Sequence, residues 1–161
     1  MAKSKKSQSK PKLTTVTNRR ARFDYDLGDE LVVGVALNGP EVRAVRDGHV
    51  QLKGAYVVVR DGELWLQNAS FSLSNNQHGK SESRTVDTTP RKLLAHKREI
   101  AQLTEARKTG MTIVPTKLLP TKRYIKLVIA LGRGKKNYDK RQTIRQRDVE
   151  REHARQIKIH G

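Results

Sequence analysis

Tyr124-Ile125-Lys126-Leu127-Val128-Ile129-Ala130-Leu131 repeats with a period of two: Ile125, Leu127, Ile129 and Leu131 share one face, Tyr124, Lys126 and Val128 the other. That alternation predicts a strand with its aliphatic face in a core. Met111–Leu119 reads as its partner, turned back on it through Pro120-Thr121-Lys122-Arg123. A second hairpin is signalled by Asp61-Gly62, a type I′ pair between Val50–Arg60 and Glu63–Ser70. Earlier still, apolar and acidic residues alternate as in a strand through Phe23-Asp24-Tyr25-Asp26-Leu27. Leu31–Leu37 reads as a short buried strand, bulged or bent at Gly34.

Two helices punctuate these strands. In Asn38–Gly48, Pro40 suits the first turn, Glu41 suits the positive end of the helix dipole, and Gly48 suits the stop. Thr89-Pro90 reads as the start of a longer helix running to Arg107 or Lys108 and ending at Gly110. It would carry Leu93, His96, Ile100 and Leu103 on one face, with Leu94 beside Leu93 drawn toward the core. Ser72–Thr88, polar and rich in Ser and Asn, reads as a long surface loop. The expected fold is mainly β with helices (α+β). It is a small oligonucleotide-binding-type antiparallel barrel with a short helix, one longer helix and a basic C-terminal tail.

Charge divides the chain more sharply than hydropathy does. Of a formal net charge of +18, residues 1–22 hold eight Lys/Arg and no acid, while residues 132–161 hold ten Lys/Arg against four Asp/Glu. The middle is close to ordinary, so the chain reads as three parts. They are a disordered basic arm (1–17), an RNA-binding barrel (18–134), and a basic tail (135–161) that is disordered alone and helical when bound. Two cationic arms on a small domain are the electrostatic footprint of a nucleic-acid binder. Neither arm has the apolar face that a membrane-surface role needs, and there is no transmembrane-length apolar run or signal-peptide core. The absence of cysteine removes disulfides and thiolate metal sites and fits a cytoplasmic protein.

In the tail, Arg147, Arg151 and Arg155 recur every four residues, one basic ridge if the segment is helical. Like charges at that spacing repel in water, and a polyanion laid along them reverses the sign. Arg133, Lys135 and Lys136 bracket Gly134, where a missing side chain permits close approach and the cations suit phosphates. Tyr138 is a lone aromatic in a basic segment, suited to stacking on a base. Catalysis finds no support. His49, His78, His96, His153 and His160 are scattered without metal-ligand spacing, Asp24 and Asp26 lack a marked nucleophile, and Gly132-Arg133-Gly134 is no phosphate loop. No cofactor or metal is expected.

Three segments, Gly39–Arg46, Arg91–Ile100 and Gly132–Arg141, occur in an order and spacing that resemble the SsrA-binding protein family (small protein B), the partner of transfer-messenger RNA in bacterial ribosome rescue. The resemblance runs from about Asn18 into the tail. It implies a barrel that holds the transfer-RNA-like domain of transfer-messenger RNA near its D-loop and elbow, as a monomer in a 1:1 complex. It also implies a tail that enters the vacant messenger channel of the small ribosomal subunit and stands in for the codon–anticodon pair. By position, Asn18, Leu94 and Lys126 match the family's RNA-facing barrel residues. Gly132, Gly134, Lys135 and Lys136 match the turn leaving the barrel. Tyr138 matches a stacking position at the decoding centre, and Asp139, Lys140 and Arg141 match the motif that opens the tail. The chain departs from the family at Val32, where many relatives carry Glu, at Pro40, where Thr is common, and at Val149, where some carry Trp. Competing readings are a constitutive ribosomal barrel protein and an RNA-processing enzyme.

Overall fold

The computed structural model describes residues 14–74 and 83–159. In chain order these form β1 (Val16–Thr17), α1 (Arg19–Asp24), β2 (Tyr25–Val35), α2 (Gly39–Arg46), β3 (Val50–Gln51), β4 (Tyr56–Arg60) and β5 (Glu63–Gln67). They continue with β6 (Ser70–Ser74), β7 (Arg84–Asp87), β8 (Arg91–Leu94), α3 (Lys97–Lys108), β9 (Thr112–Pro120), β10 (Ile125–Gly134) and α4 (Asn137–Ile159).

The hairpin expected around Pro120–Arg123 is present as β9 and β10, paired from Ile125–Pro120 to Gly132–Thr112. Around it the strands follow in the order β9-β10-β2-β8-β5-β4, every neighbour antiparallel. Val57 of β4 pairs with Ile113 of β9, which brings the last strand back to the first and closes the ring. Leu64, Leu66, Ile113, Leu118, Leu127 and Ile129 are fully enclosed inside it. Each such side chain contributes roughly 1.5–3 kcal/mol by burial. A smaller sheet, β3-β6-β7, with α2 packed on β6, lies alongside. The Asp61-Gly62 turn has both residues at positive φ (52° and 72°), the conformation a type I′ hairpin needs.

Several expectations are corrected. Residues 19–24 are helical, not the start of a strand, because Asn18 caps them: its Oδ1 accepts from Ala21 N–H at 3.2 Å. The strand that follows is one 11-residue element in place of two short ones. Its irregularity is not at Gly34. Ala130 faces Glu30 while Gly132 faces Leu27, so Gly28 and Asp29 together oppose Leu131. Val50–Arg60 is two strands, broken by a turn with Gly54 at φ 76°. The stretch from Ser72 to Thr88 is not loop throughout: it contains the end of β6 and all of β7, paired from Phe71–Asp87 to Ser74–Arg84, and residues 75–82 lie outside the described part. Val128 is buried, not outward-facing. With Val114, Ala130 and Ala21 it sits apart from the main core, where α1 packs over β9.

The largest correction concerns residues 91–94. Arg-Lys-Leu-Leu are good helix formers, yet they form β8 because the ring has a gap between β2 and β5 that only they fill. Leu93 pairs with both Val35 and Leu64. The helix starts at Lys97, seven residues after the expected start, where Glu99 accepts from the N-cap His96 N–H at 2.8 Å. Strand alternation therefore buries Arg91 and Leu93 and turns Leu94 out. Arg91 is 4% exposed. Its Nε donates to Glu41 Oε1 at 2.9 Å, its Nη2 to Asp87 at 3.1 Å and its Nη1 to the Thr89 carbonyl at 2.6 Å. The guanidinium also lies 3.8 Å from the centre of the Phe71 ring. Glu41 thus does more than complement a dipole. Its Oε2 accepts from Asn38 N–H (2.8 Å) in a capping box while Oε1 holds α2 to β8.

Candidate nucleic-acid interface

Lys126, Gly34 and Leu94 form one transverse row across β10, β2 and β8. The outer two lie far apart in sequence, and the sheet brings them to either side of a glycine. A Cβ on Gly34 would stand 3.2 Å from Leu94 Cβ, so the middle of the row stays bare backbone. Leu94 is 55% exposed and Val32, the next outward position of β2, 51%. With Arg123 and Tyr124 they line a cleft of about 490 Å³. Exposed aliphatic side chains rimmed by Lys126 and Arg123 suit a ligand that has both flat apolar faces and negative charge.

Asn18 does not join this surface. It is 7% exposed, and its Nδ2 donates to the Leu52 carbonyl (3.0 Å) and the Pro115 carbonyl (2.9 Å). With its backbone N–H on Thr116 O at 2.8 Å, it pins the entry of the chain into the barrel. Its side chain is fully used inside the protein.

The other candidates gather at the far end of β10. Arg133 is seven residues beyond Lys126, which at strand rise is roughly 23 Å away. Arg133 and Lys136 are exposed, but Lys135 is committed: its Nζ donates to Arg22 O (3.0 Å) and its N–H to Asp24 O (2.9 Å). A Cβ on Gly132 would meet Tyr25 Cβ at 3.0 Å, whereas nothing lies within 4 Å of one on Gly134. Gly132 therefore serves the fold, and the open space is at Gly134.

From Asn137 the tail is a helix of 23 residues with no buried residue along its described side chains. Tyr138 is 59% exposed, with Lys136 Nζ 6.0 Å from its ring centre. Asp139 occupies the first turn, where the dipole favours an acid. Arg141, Arg147, Arg151 and Arg155 are exposed, with Asp148 reaching Arg151 at 3.8 Å. Lys140 turns back to the barrel and meets Asp24 at 3.1 Å, and the Arg147 guanidinium lies 5.9 Å from the Phe23 ring centre. Partial burial would raise the Asp24 carboxyl, but hydrogen bonds from Lys140 and Arg20 outweigh it and hold the group below the ordinary carboxylate value.

Among the described residues no cluster of His, Asp and Glu could hold a metal ion, and no helix is long and apolar enough to cross a membrane. His78 and His160 lie outside the described residues.

A family model for SmpB protein matches residues 15–159, the barrel and the tail together. The chain belongs to the SmpB family. The SsrA-binding protein of Oenococcus oeni is 44% identical over 144 residues, 88% of this chain and 90% of that one. That of Chelativorans sp. is 43% identical over 92% of this chain and 96% of its own. A chain solved in "tmRNA-SmpB: a journey to the center of the bacterial ribosome" is 37% identical, with a TM-score of 0.57, over 76% of this chain and 85% of that one. Within this SmpB-family chain, sequence reasoning missed Arg123 and Tyr124 as neighbours of Leu94. The signal was available only as a turn beside an outward strand position. It also missed Phe23, whose alternation with acids disguised a helix end.

Proposed function

We propose that this chain is an RNA-binding adaptor of trans-translation. It binds the transfer-RNA-like domain of transfer-messenger RNA, brings it to stalled ribosomes, and substitutes for the codon–anticodon pair through its tail. In this reading it works in the cytoplasm, one monomer per RNA, as an adaptor without a reaction of its own. The observation that carries it is a division within one SmpB-family chain. An exposed apolar and cationic row, Leu94–Gly34–Lys126, lies on a closed barrel, and a basic helix with no buried residue among its described side chains leaves the opposite end of β10. The row is the surface for transfer-messenger RNA, with Arg123 at its rim. Arg133, Lys135 and Lys136 form the root of the tail, and Tyr138 with Asp139, Lys140 and Arg141 forms its decoding-centre segment. Arg147, Arg151 and Arg155 follow the messenger channel.

The same division supports a tail that is weakly helical in the free protein. Arg147, Arg151 and Arg155 stack at four-residue intervals without a core beneath them, so packing adds little to an intrinsically marginal helix. A bound polyanion neutralises the ridge and completes the helix.

Deleting residues 138–161 tests the reading. Transfer-messenger RNA binding is expected to stay nearly intact while tagging of truncated proteins is abolished. Tagging supported by the shortened chain would overturn the assignment. Recovery of all cellular ribosomal RNA without enrichment of transfer-messenger RNA would favour a constitutive ribosomal barrel instead.

A further inference from the structure

A cleft of about 610 Å³ lies beside α1, between the barrel and α4. Its lining includes four cations, Arg19, Arg20, Lys53 and Arg147, and no carboxylate. Among the described residues Arg19 and Lys53 have no ion-pair partner, while Arg20 meets Asp24 at 3.0 Å. Phe23 shares the cleft, its ring centre 5.5 Å from the Arg20 guanidinium and 5.9 Å from that of Arg147. Val16, Val50 and Leu52 supply apolar lining. β1 and β3, each the outermost strand of its sheet, border it, so backbone groups are at hand for polar ligand edges.

Four like charges around one opening repel each other, and a polyanion reverses that repulsion. The ring and the aliphatic lining ask for a flat face as well. Single-stranded RNA offers both. A duplex keeps its bases stacked away, and an acidic peptide brings charge without a planar face.

We propose that the cleft between α1 and α4 is a second RNA site, which takes a short unpaired ribonucleotide segment. Its phosphates lie against Arg19, Lys53 and Arg147, and one base lies against Phe23. Arg147 arrives on α4, so the site is complete only while the tail lies along the barrel, before Arg147 passes into the messenger channel. None of its lining residues belongs to the Leu94–Lys126 surface, so it stands whether or not that surface binds transfer-messenger RNA.

The probe is fluorescein-labelled pentaadenylate, titrated by anisotropy into the full-length protein. Phe23→Leu is expected to weaken binding at least about fivefold, the low end of base–aromatic stacking. Lys53→Gln, an exposed change that leaves folding untouched, is expected to weaken it and to lower the log–log salt slope by about 0.7. Lys126→Gln is expected to leave pentaadenylate binding unchanged; its effect on transfer-messenger RNA separately tests the function proposed above. The proposal is overturned if Lys53→Gln leaves the probe's affinity and salt slope unchanged. It is equally overturned if Lys126→Gln weakens the probe as much as Lys53→Gln does. Displacement of the probe by hexaglutamate as readily as by unlabelled pentaadenylate would assign the cleft to acidic peptides instead.

Discussion

The barrel and the tail helix are built from the same alphabet under opposite rules. In the barrel even a charge is interior: Arg91 is enclosed, and three acceptors and an aromatic ring account for it. In α4 even the aliphatics are exterior, with Ile144, Val149 and Ile157 all exposed. A segment whose polar groups are satisfied inside the protein needs nothing else to define its shape. A segment that leaves its apolar and charged groups in water has its shape completed by whatever it meets.

Three measurements break or sharpen that contrast. The largest effect is expected from Glu41→Ala, which leaves the buried Arg91 with only the half-buried Asp87 as counter-charge and also removes half of the α2 capping box. A loss of about 2–4 kcal/mol in urea unfolding is expected, from a charged hydrogen bond and a helix cap lost together. A loss under about 1 kcal/mol would mean that water reaches Arg91 and that the barrel is less closed than its exposure implies.

A middle effect concerns the seam where the two regions touch. Asp24 is held below the ordinary carboxylate value, so its contribution to docking α4 is fully present above that range and is lost as pH falls through the lowered value. Nuclear Overhauser contacts between the Phe23 ring and the Arg147 side chain should be present near pH 6 and vanish in strong acid, while the barrel's own contacts persist. Contacts that survive at the lowest pH at which the barrel is folded would show that the carboxylate does not hold the helix.

The smallest effect is expected from Val149→Ala. Half exposed on α4, it should change the midpoint of thermal unfolding by no more than corresponds to about 0.5 kcal/mol. A cost above about 1.5 kcal/mol would reveal packing on the tail and erase the distinction between the two regions.

Legibility in the sequence follows the same divide. Where a side chain's fate is set by its neighbours in sequence the reading holds, except at α1, where alternation with acids reads as a strand over a locally capped helix. The alternation through Tyr124–Leu131 gave β10 and the inward row, and Asp61-Gly62 gave its hairpin. Where a distant segment decides, it fails. Arg91–Leu94 has helical propensity, and only the vacancy between β2 and β5 makes it a strand. Val128 alternates outward by parity but is buried, on a sheet against whose β2 and β9 strands α1 packs, an element that depends on the Asn18 cap. The candidate surface behaved likewise. Leu94 and Lys126 came from a resemblance, while their meeting across Gly34 is a matter of register that no local pattern carries. The resemblance places Asn18 on the RNA-facing surface, yet its side chain is buried and hydrogen-bonded inside the protein.

The junction between β10 and α4 has a mechanical consequence. Lys135 is bonded through both its amide and its ammonium to the end of α1, and the helix starts at Asn137, so little slack separates the two bodies. While α4 is fully helical, such a joint makes it a lever about 35 Å long, and a 10° tilt of the barrel would sweep its far end through roughly 6 Å. Small rotations of the body are thereby amplified at the tip, where a much longer linker would absorb them.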